Sequence, residues 1–385
     1  MRILAYSSGA WPCGIADYHG KLTSAFPPSI HCDTTPLPTD TVHRDRPLKL
    51  WERRRHYAQL AARSGAYDAS LIQFITHWNG HRDWEYTLPV FVKHLRDPFA
   101  IILHEWPPTP NSENPGPSAA RRLVARASKQ WDRQGSDHEE WLNRRFLHRA
   151  GHIFVHSEAL RDRALAAGIP HERVTFAIFP VATLASKESA VADAIKARYQ
   201  GRRFIVLFGF PHPRKALELA IQALPELPPD VMLLFVGGID GAFRQQYVQS
   251  LLQLAERLGV QDRTVFAGEV PEASLRAVFE AAQFALAPFA YATGSSSFAY
   301  LMAAGVPIVA SDIPEHQMLQ REGAGVALFE SGSVSALASA VNGLLIDSER
   351  RESLSAKSRA FVNRHSFASF ADTVVARLQA LAATR

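Results

Sequence analysis

Small residues stand before an apolar helix in the second half of the chain. Residues 293–311 read TGSSSFAYLMAAGVPIVAS, so one glycine and three serines precede the helix. Unpaired N–H groups and the positive end of the helix dipole favour an anion such as a phosphate at that point. The residues that could bind this anion are Thr293, Gly294, Ser295, Ser296 and Ser297. The alternative is that a serine only caps the helix.

Two adjacent cations follow a predicted strand at 204–208. In the sequence GFPHPRKALEL, the strand ends at Gly209, and we expect Arg214 and Lys215 to open a helix. A cation at a helix start is unfavourable against the dipole, so an anionic ligand such as a diphosphate is favoured. The alternative is a pair of solvated loop charges.

Further candidates lie after other predicted strands. His104 ends the run AIILH, where it could donate a hydrogen bond to a substrate or shuttle a proton. Gly14 lies in the first strand–loop–helix segment, SSGAWPCGIADYH, which lacks a full GxGxxG motif. Weaker candidates of the same kind are His77, His81 and His212. The sequence holds no HExxH motif and no zinc-type Cys/His spacing, so we expect no metal cofactor.

A basic stripe marks the predicted helix at 118–134. The four cations recur at i, i+4, i+7 and i+11 and are Arg122, Arg126, Lys129 and Arg133. Such a stripe predicts contact with an anionic acceptor or membrane surface. An ordinary solvated face explains it equally well. We expect no nucleic-acid partner, because no nucleic-acid-binding module is recognisable.

Composition sets the class of protein. The chain has 385 residues, 47% of them hydrophobic, and a formal charge of +5, and the basic excess lies in the first half. Its two cysteines, Cys13 and Cys32, form no disulfide framework. The chain starts as a strand rather than a secretory signal, and its apolar runs are too short to span a bilayer. We therefore expect a cytoplasmic protein, peripheral on the inner face of the membrane.

Strands alternate with helical patterns twice along the chain, which predicts two α/β domains with parallel sheets. We predict a first domain at 1–184, a second at 185–365, and a last helix at about 366–385 that packs back on the first domain. The predicted strands cover residues 3–6, 69–74, 100–103, 152–155, 174–179, 204–208, 231–236, 264–266, 284–287 and 308–310. The cleft between two such doubly wound halves is the expected site.

The ordered motifs resemble the retaining GT-B glycosyltransferases of family 4, the group 1 glycosyl transferases. The similar segments include CGIADYH, FVHSEALRDRALAAGIPHERVTF, GFPHPRKALELAIQAL and AAGVPIVASDIPEHQML, and they cover nearly the whole chain. The resemblance implies two Rossmann-like domains that face a central cleft, with a nucleotide-sugar donor held mainly by the second.

The resemblance also assigns roles to individual residues. Lys215 would contact the donor diphosphate, and Arg214 would replace the family's arginine, whose place holds Phe210. Gly14 would let the first loop approach the donor, and His104 would face the transferred sugar. The other implied donor contacts are the serines at the helix start and the backbone near Glu269 and Val270, which would meet the base.

One departure from the family concerns a pair of glutamates eight residues apart. Their places hold Ala292 and Tyr300, so ribose and sugar must be recognised differently. We expect a metal-independent retaining hexosyltransferase that acts on a glycan or lipid-linked acceptor in surface polysaccharide or glycoconjugate synthesis. The alternatives are another GT-B enzyme, such as an epimerase or phosphorylase, and a non-catalytic nucleotide-sugar-binding subunit.

Overall fold

The chain folds into two compact units. The computed structural model describes residues 1–8, 14–37, 48–74, 88, 90–106, 145–184, 188–292 and 294–384. Unit 1 comprises Met1–Ile178 and Phe370–Arg385, and unit 2 comprises Phe179–Ser369. The division therefore falls before Phe179 rather than after residue 184. The reason is that the N–H of Val181 donates to the carbonyl oxygen of His365, which ties this segment to unit 2.

Unit 1 is built on a parallel six-stranded sheet with the order β2-β1-β3-β4-β5-β6. Its strands are β1 Arg2–Ser8, β2 His31–Leu37, β3 Ala69–Phe74, β4 Phe99–Leu103, β5 His152–Val155 and β6 Val174–Phe176. β3, β4 and β5 are buried along their whole length, as expected for parallel strands covered on both faces. The last strand is shorter than the predicted 174–179.

Unit 2 repeats the architecture with the order β12-β11-β10-β7-β8-β9. Its strands are β7 Arg203–Phe208, β8 Val231–Val236, β9 Thr264–Gly268, β10 Phe284–Ala287, β11 Ile308–Ser311 and β12 Val326–Phe329. This is the doubly wound order in which each half runs outward from the middle of the sheet. The predicted α/β class with two Rossmann-like units is confirmed.

Helices separate the strands in both units. In unit 1 they are α1 Gly14–Ser24, α2 Leu48–Ala62 and α3 Glu158–Ala166, and residues 90–94 and 145–149 are also helical. In unit 2 they are α4 Ala190–Arg198, α5 Leu217–Ala223, α6 Ala242–Arg257, α7 Glu272–Glu280, α8 Ser296–Ala303, α9 Pro314–Arg321, α10 Val334–Ile346 and α11 Ser348–Arg364.

The last helix, α12 Phe367–Ala383, begins in unit 2 and from Phe370 onward belongs to unit 1. Phe370 packs edge-on against Phe154 of β5, with ring centroids 5.7 Å apart. Leu381 lies so close to Gly151 that any larger residue there would displace it. The C-terminal helix is thus part of the core of unit 1.

No helix in the described part of the chain combines the length and the apolar character that crossing a membrane requires.

Candidate active site

The strand order of unit 2 reverses between β7 and β10, which lie side by side. Ligands of open parallel sheets bind beyond the carboxyl ends of the strands at such a reversal. The segment after β7 carries Gly209 and Lys215, and the segment after β10 leads to Ser297. The N–H of Ala290 donates to the carbonyl oxygen of Arg214 over 2.8 Å, so the two segments meet. The fold therefore places the predicted diphosphate residues together.

Lys215 is the most unusual side chain at this position, because it is a cation that is only 3% exposed. Its Nζ donates to the carbonyl oxygen of Phe208 and to Oγ of Ser297, each over 2.9 Å. Nζ also lies 5.6 Å from the ring centroid of Phe289. Two neutral acceptors and an aromatic face surround the positive charge, and the described residues provide no counter-ion for it.

The electrostatics of the site confirm that its charge is not balanced. Burial, and then the charges of Arg214 and Arg244, lower the pKa of Lys215 to about 7. Within the described residues, no carboxylate lies at ion-pair distance from Lys215, Arg214 or Arg244. A desolvated cation of this kind is costly unless a ligand neutralises it, so the arrangement favours an anion.

Gly209 makes room for these contacts. Its φ of +102° lies in the region that only glycine adopts without strain. A Cβ at this position would overlap Nζ of Lys215 and Oγ of Ser297. The absence of a side chain at Gly209 therefore leaves the space in which Lys215 and Ser297 form their hydrogen bond.

The serines at the start of α8 have different hydrogen-bond partners. Oγ of Ser295 accepts a hydrogen bond from the N–H of Phe298 over 3.3 Å, so this side chain is the helix cap. Oγ of Ser297 is bound by Lys215 instead. Ser296 begins the helix, and Gly294 before it has a φ of +91°. The capping alternative accounts for one serine, while the first-turn N–H groups remain suited to an anion.

Arg214 and Lys215 do not open a helix as predicted. They lie in the 3₁₀ turn Pro213–Lys215, which Nδ1 of His212 caps by accepting from the N–H of Arg214 over 3.1 Å. Ala216 then adopts a left-handed conformation, with φ 45° and ψ 46°, so the 3₁₀ turn does not continue into α5. The cations are thus held by a separate turn, and the dipole argument used for them does not apply.

Tyr300, Glu269 and Val270 were predicted to contact the donor, and Ala292 is one of the two positions without the family's glutamates; all four follow β9 or β10 in the chain. Tyr300, one turn into α8, has its ring centroid 5.5 Å from that of Phe208 at the end of β7. Ala292 is half-buried in the segment after β10. Glu269 is exposed and Val270 is half-buried. Both directly follow β9, so they lie at the carboxyl end of the sheet but two strands away from β7.

Unit 1 places His104 in a hydrogen-bonded chain that the sequence did not predict. Nε2–H of His104 donates to Oε1 of Gln73 over 2.7 Å, and Nε2 of Gln73 donates to Nδ1 of His19 over 3.4 Å. Nε2 of His19 then donates to Oγ1 of Thr34 over 2.9 Å. This direction of donation leaves Nδ1 of His104 as a hydrogen-bond acceptor.

A second chain lies against the first. Nδ1–H of His156 donates to the carbonyl oxygen of Ala177 over 2.8 Å, so its Nε2 accepts from the hydroxyl of Tyr18 over 2.7 Å. The ring of Tyr18 meets that of His104 edge-on, with centroids 5.0 Å apart. We refer to His19, Gln73, His104, Tyr18 and His156 together as the histidine network.

The histidine network is neutral at physiological pH. Burial, and then the charge of His156, lower the pKa of His104 to about 3. Burial lowers the pKa values of His156 and His19 to about 4 each. A neutral His104 cannot give up a proton as an imidazolium would, so the structure favours hydrogen bonding over the predicted proton shuttle.

Several predicted residues lie outside the described part of the chain. They are Thr293, His77, His81 and the basic stripe Arg122, Arg126, Lys129 and Arg133. Gly14 is described as the first residue of α1, while the loop 9–13 before it is not. Over the described ranges, no group of three or more His, Cys, Asp or Glu side chains is arranged to hold a metal ion.

Sequence reasoning missed Gln73, His156 and Arg244. Gln73 is fully buried within the otherwise apolar strand ASLIQF, and a polar residue in such a strand is a signal that it serves a specific hydrogen bond. His156 follows β5 directly and could have been found by the strand-end argument that found His104. Arg244 carried no signal, because its position near Lys215 depends on the packing of α6.

Comparison with known proteins relates part of the sequence to a known family. The family described as "Glycosyl transferases group 1" matches residues 190–361. A phosphatidyl-myo-inositol mannosyltransferase of Mycobacterium leprae is 30% identical over 182 residues, 46% of this chain and 46% of that one. A D-inositol 3-phosphate glycosyltransferase of Xylanimonas cellulosilytica is 29% identical over 150 residues, 39% of this chain and 36% of that one. The matches thus span less than half of these curated relatives.

Solved structures match over almost the whole chain. Anabaena Alr3699/HepE, solved in complex with UDP and glucose, has a TM-score of 0.73 at 16% identity and covers 99% of this chain and 100% of its own. Sucrose-phosphate synthase of Thermosynechococcus elongatus has a TM-score of 0.70 at 17% identity, with both chains fully covered. At this identity the likeness concerns the fold. Residues 190–361 match the family described as "Glycosyl transferases group 1", and the chain as a whole has the GT-B fold of these structures.

Proposed function

We propose that the protein transfers a sugar from a nucleotide-diphosphate sugar to a glycan or lipid-linked acceptor, with retention of configuration. The observation that supports this most directly is Lys215, a buried cation at the strand reversal of unit 2 for which the described part of the chain supplies no counter-ion. A donor diphosphate supplies the missing negative charge. Because residues 190–361 match a glycosyl transferase family, we propose that the bound anion is a sugar nucleotide.

The proposed chemistry follows from the charge that develops on the donor. The bond between the anomeric carbon and the diphosphate oxygen breaks, and its electron pair leaves with the nucleoside diphosphate. The acceptor hydroxyl forms the new bond from the same face, and its proton passes to the departing diphosphate oxygen. Lys215, Arg214 and the N–H groups at Ser296 and Ser297 stabilise the charge that accumulates on the leaving group, which lowers the barrier. Because these groups supply the positive charge, the proposal includes no metal ion.

Other residues are assigned by position. Nδ1 of His104 would accept a hydrogen bond from a hydroxyl of the transferred sugar, since Gln73 holds the ring as an Nε2–H tautomer. Gly14 would let the first loop approach the donor, and the backbone at Glu269 and Val270 would meet the base.

A second candidate is a nucleotide-sugar-binding subunit without turnover, or another GT-B enzyme such as an epimerase. The observation that favours it is the absence of acidic side chains at Ala292 and Tyr300. The ring of Tyr300 instead packs 5.5 Å from Phe208. We propose that this ring takes part in donor recognition, in place of a carboxylate.

The acceptor is proposed on two grounds. One relative is named for a phospholipid, phosphatidyl-myo-inositol, and the first half of this chain carries the basic excess. We propose a cytoplasmic enzyme that docks on an anionic membrane through Arg122, Arg126, Lys129 and Arg133 during surface glycoconjugate synthesis. Neutralising these four residues should reduce co-sedimentation with anionic vesicles but not with neutral ones, and an unchanged result would remove the membrane claim.

The transfer proposal is tested with the full purified chain. A thermal-shift screen with UDP-, GDP- and dTDP-sugars identifies the donor, because a cognate ligand raises the melting temperature by mass action. Labelled donor is then incubated with lipid extract or glycan acceptors, and the products and their anomeric configuration are determined. We expect transfer by the wild type and by Lys357→Ala, an exposed control on α11, and none by Lys215→Ala. Donor binding without any product would favour the binding subunit, and an altered free nucleotide sugar would favour the epimerase.

A further inference from the structure

A third cation, Arg244, packs on Phe210, close in sequence to the turn that carries Lys215, and it has no acidic partner among the described residues. Cζ of its guanidinium stacks 4.1 Å from the ring centroid of Phe210. Phe210 follows Gly209 directly, and it is a large apolar side chain that remains 36% exposed. The aromatic ring therefore acts as a platform that holds a positive charge next to the turn of Lys215.

The position of Arg244 is unfavourable in the unliganded protein. It is the third residue of α6, where the positive end of the helix dipole opposes a cation. Its Nη1 donates to the backbone carbonyl oxygen of Asp240 over 3.4 Å, a long hydrogen bond. No carboxylate among the described residues forms an ion pair with it. A cation held against the dipole by an aromatic ring is suited to an external anion.

Two contacts fix the start of α6 against the turn that carries Lys215. Besides the Arg244–Phe210 stack, the ring of Phe243 lies 5.7 Å from that of His212, which caps the turn. The charge of Arg244 contributes, after larger causes, to lowering the pKa values of both His212 and Lys215. Arg244 thus belongs to the same electrostatic site although it comes from a different helix.

We propose that Arg244 is a diphosphate-binding residue, held in place by Phe210. It supplies, with Arg214 and Lys215, the third positive charge on the anion that unit 2 binds. Naming that anion as the diphosphate of a sugar nucleotide rests on the proposed function, whereas the anion site itself rests on the geometry alone.

Inorganic pyrophosphate is the probe, because it contains the diphosphate without base, ribose or sugar. Its dissociation constant is measured by calorimetry at several salt concentrations for wild type, Arg244→Gln, Phe210→Leu and Arg257→Gln. Arg257, exposed in the last turn of the same helix, is the matched control. We expect binding by Arg244→Gln to be about tenfold weaker, with a shallower salt dependence, and binding by Arg257→Gln to be unchanged. Equal affinities for the two glutamine variants would overturn the proposal.

A double substitution tests whether Phe210 affects anion binding only through Arg244. Phe210→Leu should weaken pyrophosphate binding less than Arg244→Gln, and the double variant should bind no more weakly than Arg244→Gln alone. Additive losses would contradict the role of Phe210 as a platform. Arg244→Lys, which keeps the charge, should recover part of the affinity, while a purely structural residue would show no such recovery.

The outcome also distinguishes this inference from the proposed function. If pyrophosphate binding depends on Arg244 but no sugar is transferred, the anion site stands and the transferase proposal fails. If the wild type transfers sugar and Arg244→Gln matches it in donor affinity and rate, the transferase stands and this inference fails. A wild type that does not bind pyrophosphate overturns the inference.

Discussion

Each unit buries a polar group at the carboxyl end of its sheet, but the two groups differ in charge balance. The histidine network of unit 1 is a set of neutral rings and amides whose donors face acceptors. The site of unit 2 is a buried cation bound to neutral oxygens. The first arrangement needs no charged partner, although Nδ1 of His104 can still accept a hydrogen bond, whereas the described residues supply no negative charge for the second.

The difference indicates how each unit contributes to function. A balanced neutral network holds a side chain such as His104 in one orientation and one tautomer, so it is suited to recognition by hydrogen bonds. An unbalanced cation has high free energy until an anion arrives, so it is suited to binding and stabilising negative charge. The neutral network of unit 1 is therefore suited to orienting a hydrogen-bonding group, and the buried lysine of unit 2 is suited to binding negative charge.

Replacing the cation is the strongest way to break this comparison. Lys215→Met should weaken pyrophosphate binding by about 100-fold, because it removes a charged donor from the anion site. The folded pKa of Lys215 is about 7, below the usual 10.5, so the unfolded chain binds more protons between these values. Wild-type stability should therefore rise with pH across that window, and the slope should be smaller in Lys215→Met.

The measurements are calorimetry for the affinity and urea unfolding across that pH range for the slope. Lys357→Met provides the exposed control. A Lys215→Met variant that is less stable than wild type at pH 7 would show that the lysine stabilises the free fold, contrary to the charge imbalance.

Adding a side chain at Gly209, beside Lys215 and Ser297, should have the next largest effect. Gly209→Ala adds a Cβ that overlaps Lys215 and Ser297, at a φ of +102°. We expect a loss of about 2 kcal/mol in the free energy of unfolding and weaker pyrophosphate binding. Gly343→Ala on α10, where a Cβ meets open space, is the control: it should raise the free energy of unfolding by about 1 kcal/mol, as alanine does in a helix, and leave pyrophosphate binding unchanged. Unfolding in urea and calorimetry measure the two quantities, and wild-type behaviour of Gly209→Ala would refute the close packing.

Acid should disrupt unit 1 through its neutral histidines. The folded pKa values of His19, His104 and His156 lie at about 3 to 4, below the usual 6.5, so the unfolded state binds more protons in this window. Stability is therefore lost as the pH falls below 6.5. His156→Gln should reduce the slope by about 1 kcal/mol per pH unit, and the exposed control His171→Gln should not. Urea unfolding between pH 4 and about 6.5 tests this, and equal slopes for the two variants would contradict a buried neutral His156.

The smallest expected effect concerns the turn that separates the cations from α5. Ala216 has a φ of 45°, which is strained for a residue with a Cβ. Ala216→Gly should relieve this strain and raise the free energy of unfolding by about 1 kcal/mol without changing pyrophosphate affinity. Ala356→Gly, in the regular helix α11, should lower stability by a similar amount. If both substitutions destabilise, the left-handed turn is not strained.

The inner strands were predictable from sequence, but one edge strand in each sheet was missed. β2 and β12 lie at the sheet edges. β2 reads HCDTTPL, in which only Thr35 and Leu37 are buried, so it lacks the apolar run that marks a buried strand. β12 has only four residues, and an apolar run of that length does not distinguish a strand from a helix segment.

The residues of the anion site could be named from sequence, but their geometry could not. Strand ends and local residue types pointed to Lys215 and Ser297. Their mutual hydrogen bond joins positions 82 residues apart and depends on β7 lying beside β10. The left-handed Ala216 carries no sequence signal, because alanine rarely adopts that conformation. Long-range packing also determines the histidine network and the approach of Arg244.

The C-terminal helix α12 has a consequence for the order in which the protein can fold during synthesis. Unit 2 is continuous in sequence and has all its residues once Ser369 has emerged from the ribosome. The core of unit 1 also requires Ala371, Val374 and Leu378, which are fully buried and are made after unit 2. The part of the chain that is made first is thus completed last, and trimming of the C-terminal helix should damage the N-terminal unit.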